Sequence, residues 1–387
     1  MKKRLALAAA LAAVTVSLAG SKDLPDHPAD SLRTVGPSFI YDLPSEWATV
    51  NASGEELFTD WIEVWQPMCG SKPAAVTSKL LERVALDHHA QVDDPANVTV
   101  IDTPRDGIAA PFNLVFTLAS SVPAAAIPAF TRAEEYLEAQ FTDSVTVTIS
   151  CSFAALGSGV LGGTSPSYTT ATYTAARAGL VAGADANDTL QAALPTGTRI
   201  NVRYSGTATT ITAEDKIYFT RANYLATIGS VTGTAASMQF NTSFGWDYDP
   251  TNGISGYSFT DVLIHEVGHA MGFVSAAGVW TKESTALDLF RFQQTDGTGD
   301  YNPDTLAEWT ARARLVAYNS PNDAHITDYV TVEYAMSDGS PYQASHFREQ
   351  SANIGIMDPA FSSGQTYYPS FMKASDLAAF DGIGWDR

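Results

Sequence analysis

Residues 257–273 read "YSFTDVLIHEVGHAMGF", and this stretch has a helix start, a buried face and a stop. Ser258 and Asp261 stand at capping-box spacing. Val262, Leu263, Val267, Ala270 and Met271 recur at helical intervals and make an apolar face. Gly272 suits a left-handed C-terminal cap. On such a helix His265 and His269 lie one above the other, so two imidazoles can share one ion. Glu266 is turned about 100° from His265, which lets it face a water on that ion instead of ligating the ion itself. Zinc suits this chemistry because it lowers the pKa of its water towards neutrality. With 7 histidines in 387 residues, a random order would give His-Glu-x-x-His only about 0.005 times.

A catalytic zinc usually holds three protein ligands and keeps one position open. The common continuation of this motif places a third histidine at position 275, which here is Ser275. Three downstream residues offer a substitute. Glu283 sits in "TKEST", which has little helical character; His325 sits in the polar loop "SPNDAHITD"; His346 sits in "ASHFREQSANIGIMDPAF".

Outward from the helix the chain mixes strands and helices. "PFNLVFTL" (111–118), "SVTVTISC" (144–151), "TRINVRY" (198–204) and "SMQFNTSF" (237–244) are expected strands. In the second of these Val145, Val147, Ile149 and Cys151 fall on one face. "FTRAEEYLEAQF" (130–141) is an expected helix with Thr131 and Glu134 at capping-box spacing. "DKIYFTRANYLATIG" (215–229) is a second, ended by glycine. "ELFTDWIEVW" (56–65) and "TSKLLERVAL" (77–86) are short helices by the same reading. "VDDPANVTVIDTPRDG" (92–107) is a turn-rich junction, which sets a boundary near residue 106. The mixture indicates α+β or α/β architecture.

Composition narrows the function. Hydrophobic residues make up 45% of the chain, enough for a sizeable core, and the net charge is −20. An acidic chain lacks the basic footprint of a nucleic-acid binder. Lys2, Lys3 and Arg4 precede an apolar run from Leu5 to Leu18, too short to span a bilayer, and Ser17-Leu18-Ala19 fits a cleavage site. The expected organisation is a signal peptide over 1–19, an N-terminal segment over 20–106 that is a candidate prosegment, and a main domain over 107–387 that carries the histidine helix. The mature chain is then exported, secreted or periplasmic, with no membrane span.

"HEVGHAMGF", followed much later by "SHF", "GIMDP" and "DLAAFDGIGW", resembles the metzincin zinc endopeptidases. More narrowly it is similar to the leishmanolysin-like branch and related bacterial secreted metalloproteases, in which a long insertion separates the helix from the third histidine. "AFTRAEEYLEAQFTDSVTVTI" and "ALDLFRF" also look like elements of the bacterial relatives, so the resemblance covers roughly residues 110–387. It implies an α+β fold with a mixed twisted sheet, an active-site helix and an irregular C-terminal subdomain carrying a methionine turn. It implies His265, His269 and His346 as ligands of one Zn2+, Glu266 as general base, and Met357, eleven residues after His346, as the apolar floor under the metal. Ser275 in place of histidine is what this branch would show. The implied activity is hydrolysis of polypeptide substrates. Two rivals remain: an inactive binding or adhesion module that keeps the fold, and a zinc hydrolase of a non-peptide bond, since the same activated water attacks many carbonyls.

The resemblance also implies peptide docking as an added strand on a sheet edge. "ASMQFNTSF" (236–244) reads either as that edge or as an internal strand, and "ALDLFRF" with residues 358–368 would shape the specificity pocket. Pro359 stands where some metzincins carry a tyrosine, so Tyr367 or Tyr368 is the candidate for oxyanion stabilisation. Asp296 and Asp300 in "DGTGD" supply a partial ladder for Ca2+, although a glycine-rich turn is the favoured reading. Cys69 and Cys151 are the only cysteines, and in an oxidising compartment a disulfide between them is favoured. The competing readings are two unpaired thiols and a latency device, because "PMCG" around Cys69 looks like the metzincin prosegment setting in which a thiolate occupies the zinc.

Overall fold

Strict alternation builds the central sheet. The structure, a computed structural model, describes residues 98–102, 111–156, 159–185, 190–202, 212–276, 284–290, 342–347 and 353–387, with short extended pieces at 49–50, 56–57, 315–318 and 332–336. The elements that frame the site are β1 (Thr99–Ile101), β2 (Asn113–Leu118), α1 (Ile127–Glu138), β3 (Thr146–Ala154), β4 (Gly162–Pro166), β5 (Tyr168–Thr172), α2 (Tyr173–Gly183), β6 (Lys216–Thr220), α3 (Arg221–Thr227), β7 (Ala236–Asn241), α4 (Phe259–Ala270) and α5 (Ala374–Gly382). On β2, Leu114, Phe116 and Leu118 are buried, and on β3, Val147, Ile149, Cys151 and Phe153. The residues between them are less buried, the pattern of strands with one covered face.

The sheet has the order β1-β2-β3-β7-β4. β2, β3 and β7 run parallel, while β1 and β4 are antiparallel edges. α1 is the crossover that parallel β2 and β3 require. With several helices beside this mixed sheet, the architecture is α+β. Phe130 of α1 meets Phe116, Phe240 and Phe259 edge-on at 5.2, 6.3 and 5.3 Å between ring centres, joining helix, sheet and α4 in one core. Among the described residues, no helix is long and apolar enough to cross a membrane.

Several sequence expectations shift. β1 lies before the expected boundary near 106, yet Thr99, Val100 and Ile101 pair with Leu118, Thr117 and Phe116, so the sheet starts inside the turn-rich junction. α1 begins at Ile127 with a proline in its first turn, whose fixed φ favours helix initiation, so Thr131 is interior and makes no capping box. The helix expected over 215–229 is half strand. Ile217 and Phe219 are buried on β6, which pairs with β5, and Thr220 Oγ1 then accepts from Asn223 N (3.2 Å) to start α3. Ile200–Val202 is extended as expected. Glu56–Leu57, inside the first expected N-terminal helix, is instead extended and paired with Thr49–Val50. The signal peptide, the rest of that helix and residues 77–86 lie outside the described residues.

Candidate metal centre

α4 is wholly buried from Phe259 to Ala270. Its C-terminus closes as a Schellman turn: Gly272 N donates to His269 O (3.1 Å) and Phe273 N to Gly268 O (3.0 Å), with Gly272 at φ 116°. At the other end the expected capping box does not close. Ser258 Oγ donates to Asp261 Oδ2 (2.5 Å) instead of accepting from the helix. Asp261 is drawn to distant donors, Thr366 Oγ1 (2.7 Å) and Tyr367 N (2.8 Å), and so ties α4 to the C-terminal segment. Burial raises the Asp261 pKa.

His265, His269 and His346 converge, each almost fully buried, with one ligand atom apiece inside a 4.8 Å span. Their ring centres are 4.7, 4.8 and 5.3 Å apart. His265 Nδ1 is 2.6 Å from Ile356 O, and His269 Nδ1 is 2.8 Å from Phe273 O. A carbonyl only accepts, so both Nδ1 atoms carry protons. Burial depresses the pKa of His265 to about 4 and, with the neighbouring histidines, holds that of His269 well below the usual value, so both rings are neutral near pH 7. Each Nε2 is then a bare lone pair, and the two face one another at 3.0 Å. Two ligands on one tetrahedral zinc would stand about 3.3 Å apart. Neither ring nitrogen of His346 has a hydrogen-bond partner of good geometry, although both are buried. Burial and then the neighbouring His265 hold its pKa well below the usual value. The three imidazoles together form a buried donor set that could hold a metal ion.

A clamp sets the position of His346. Ser275, where a histidine is commonly expected, donates its backbone N–H to Ser345 Oγ (3.0 Å), beside His346. Ser275 Oγ donates to Asp288 Oδ1 (2.5 Å), and Asp288 Oδ2 also accepts from Ala276 N (2.8 Å), Thr285 N (3.0 Å) and Thr285 Oγ1 (3.0 Å). Phe347 N then donates to Met357 O (3.0 Å). Met357 is fully buried against Gly268, where a Cβ would stand 2.4 Å from its sulfur. Glycine between the two histidines is therefore what lets the thioether reach the helix. Asp376 of α5 accepts from Ile356 N (2.9 Å) and Met357 N (3.1 Å), fixing the loop whose Ile356 carbonyl orients His265.

Glu266 is also fully buried, beside β4. Thr164 Oγ1 lies 2.7 Å from Glu266 Oε2 and 2.9 Å from Glu266 O. β4 is the sheet edge next to the centre, so the docking edge expected at 236–244 is corrected: β7 is internal, paired on both sides with β3 and β4. β4, "GGTSP", carries no strand signal of its own, and its only cue was the glycine-rich run before it.

The remaining candidates divide. Asp261, Val262, His265, Ile356, Asp358, Ala360, Phe361 and Tyr367 line a cleft, which bears on the expectation for residues 358–368. Leu287–Phe290 are instead buried as a one-turn helix whose Asp288 serves the clamp. The Tyr367 hydroxyl accepts from Asn353 Nδ2 and from Gln365 Nε2 (3.0 Å), and Tyr368 packs on Phe371 at the surface. Cys151 is a free thiol, 2% exposed on the covered face of β3, and the partner expected for it, Cys69, lies outside the described residues. Burial in the apolar core raises its pKa. Cys69, Glu283, Asp296, Asp300 and His325 lie outside the described residues. Comparison with family models, curated proteins and solved structures finds no match to this chain.

Proposed function

We propose that the protein is a zinc-dependent endopeptidase of the metzincin kind, close to the leishmanolysin-like branch, and exported as its basic and apolar start suggests. The observation that carries this reading is the pair of Nε2 lone pairs at 3.0 Å, with both Nδ1 protons committed to carbonyls and the buried His346 ring packed against both imidazoles. His265, His269 and His346 would hold the ion. When bound, zinc would supply Lewis acidity to a water and to the scissile carbonyl. Glu266, one residue from His265 on α4, accepts the water's proton and delivers it to the leaving amine. Burial of Glu266 and the three histidines excludes bulk water from the reacting atoms. β4 carries no further strand on its outer edge among the described residues, and an extended peptide adds naturally to such an edge. That edge favours a polypeptide over a small ester or amide as substrate.

Glu266→Gln is the direct test. The variant should bind zinc as the parent does while turnover of an unfolded protein substrate falls about 100-fold or more, because the base is lost and the ligands are kept. A fully active Glu266→Gln protein would overturn the assignment.

A further inference from the structure

We propose that Thr164 is a positioning residue for Glu266, so that the strand which receives substrate also aims the base; this rests on the peptidase reading above. A glutamate side chain has three torsions to set. Thr164 Oγ1 reaches both ends of this one, 2.7 Å from Oε2 and 2.9 Å from the residue's own carbonyl oxygen. Its single proton goes to one of the two at a time, and 2.7 Å to Oε2 is within the range of about 2.5–2.7 Å expected for a hydroxyl on a carboxylate. Two residues earlier, Gly162 lies on the same face of β4. A Cβ there would stand 3.1 Å from Glu266 Oε1 and 3.1 Å from the Phe240 ring. One oxygen of the carboxylate is thus held by a hydroxyl and the other lies in space that a missing side chain leaves. Thr164 is 1% exposed, so water does not replace its hydroxyl. Because both residues belong to the edge strand, any shift of β4 on peptide docking moves the carboxylate's two supports with it.

Thr164→Val keeps the branched shape and removes the hydroxyl, and Thr164→Ser keeps the hydroxyl. With zinc-loaded full-length protein and a peptide substrate, Thr164→Val should lower kcat about 10- to 100-fold and leave KM within about twofold, as expected when a reacting group loses its aim. Thr164→Ser should recover most of the loss, and zinc content should be equal in all three proteins. Crystals of metal-free Thr164→Val should show the Glu266 carboxylate in a new rotamer, a readout independent of turnover. Gly162→Ala should displace the carboxylate from the opposite side with a similar fall in kcat. The proposal is overturned if Thr164→Val turns over at the parent rate or if its Glu266 keeps the parent rotamer. An inactive parent would instead defeat the peptidase reading, and the rotamer comparison alone would then decide whether Thr164 aims Glu266.

Discussion

Gly272 meets two demands at once. Its φ of 116° is a conformation L side chains rarely adopt, and a Cβ there would stand 2.8 Å from Asn223 Cβ. The turn it makes brings the Phe273 carbonyl back to His269 Nδ1. Gly272→Ala should therefore destabilise the fold by about 1–3 kcal/mol in chemical denaturation. Zinc affinity should also drop about 10-fold or more in a chelator competition, because the partner that orients a ligand is displaced. A variant with unchanged stability and affinity would contradict this account. At this scale the convergence of His265 and His269 was legible because it depends only on spacing along one helix. Asp261 was misread as a cap because its other partners, Thr366 and Tyr367, are more than a hundred residues away and leave no local trace.

Among the elements, alternation identified β2 and β3 correctly, since each buries one face. Strand order was not legible. β7 has the stronger strand pattern and so attracted the edge assignment, whereas β4 opens on two glycines and ends on a proline, residues that an edge tolerates better than a central strand does. The stretch over 215–229 shows the same limit. Its apolar residues suit period two in the first half and helix in the second, and only pairing of β6 with β5 divides them. The segment that carries His346 was found by resemblance. Its physical cause, the Ser275–Asp288–Ser345 clamp, joins pieces that are separated in sequence and could not be read from any one of them.

Over the whole molecule the C-terminal segment is stitched back onto the sheet. Trp385 Nε1 donates to Met271 O (2.7 Å), Asp386 N donates to Asp143 Oδ2 (2.9 Å), and Asn223 Nδ2 donates to Ile383 O (2.7 Å). Burial, with the Asp386 carboxylate beside it, raises Asp143 to a pKa of about 7. A carboxyl whose folded pKa is raised holds extra protons in the folded state. Its contribution to stability is full below about pH 4 and is lost as pH rises through about 7. Asp143→Asn should leave the melting temperature near that of the parent at about pH 4 and raise it by a few degrees at about pH 8. A variant less stable than the parent at pH 8 would contradict the assignment of Asp143 as a buried, proton-retaining group.

A three-histidine metal centre is tested by X-ray absorption at the zinc edge, with His346→Ala measured beside the parent. The account predicts about one zinc per chain, with three imidazole nitrogens at about 2.0–2.1 Å in the parent and a lost nitrogen with weaker retention in the variant. No bound zinc, or a His346→Ala spectrum identical to the parent's, would contradict it.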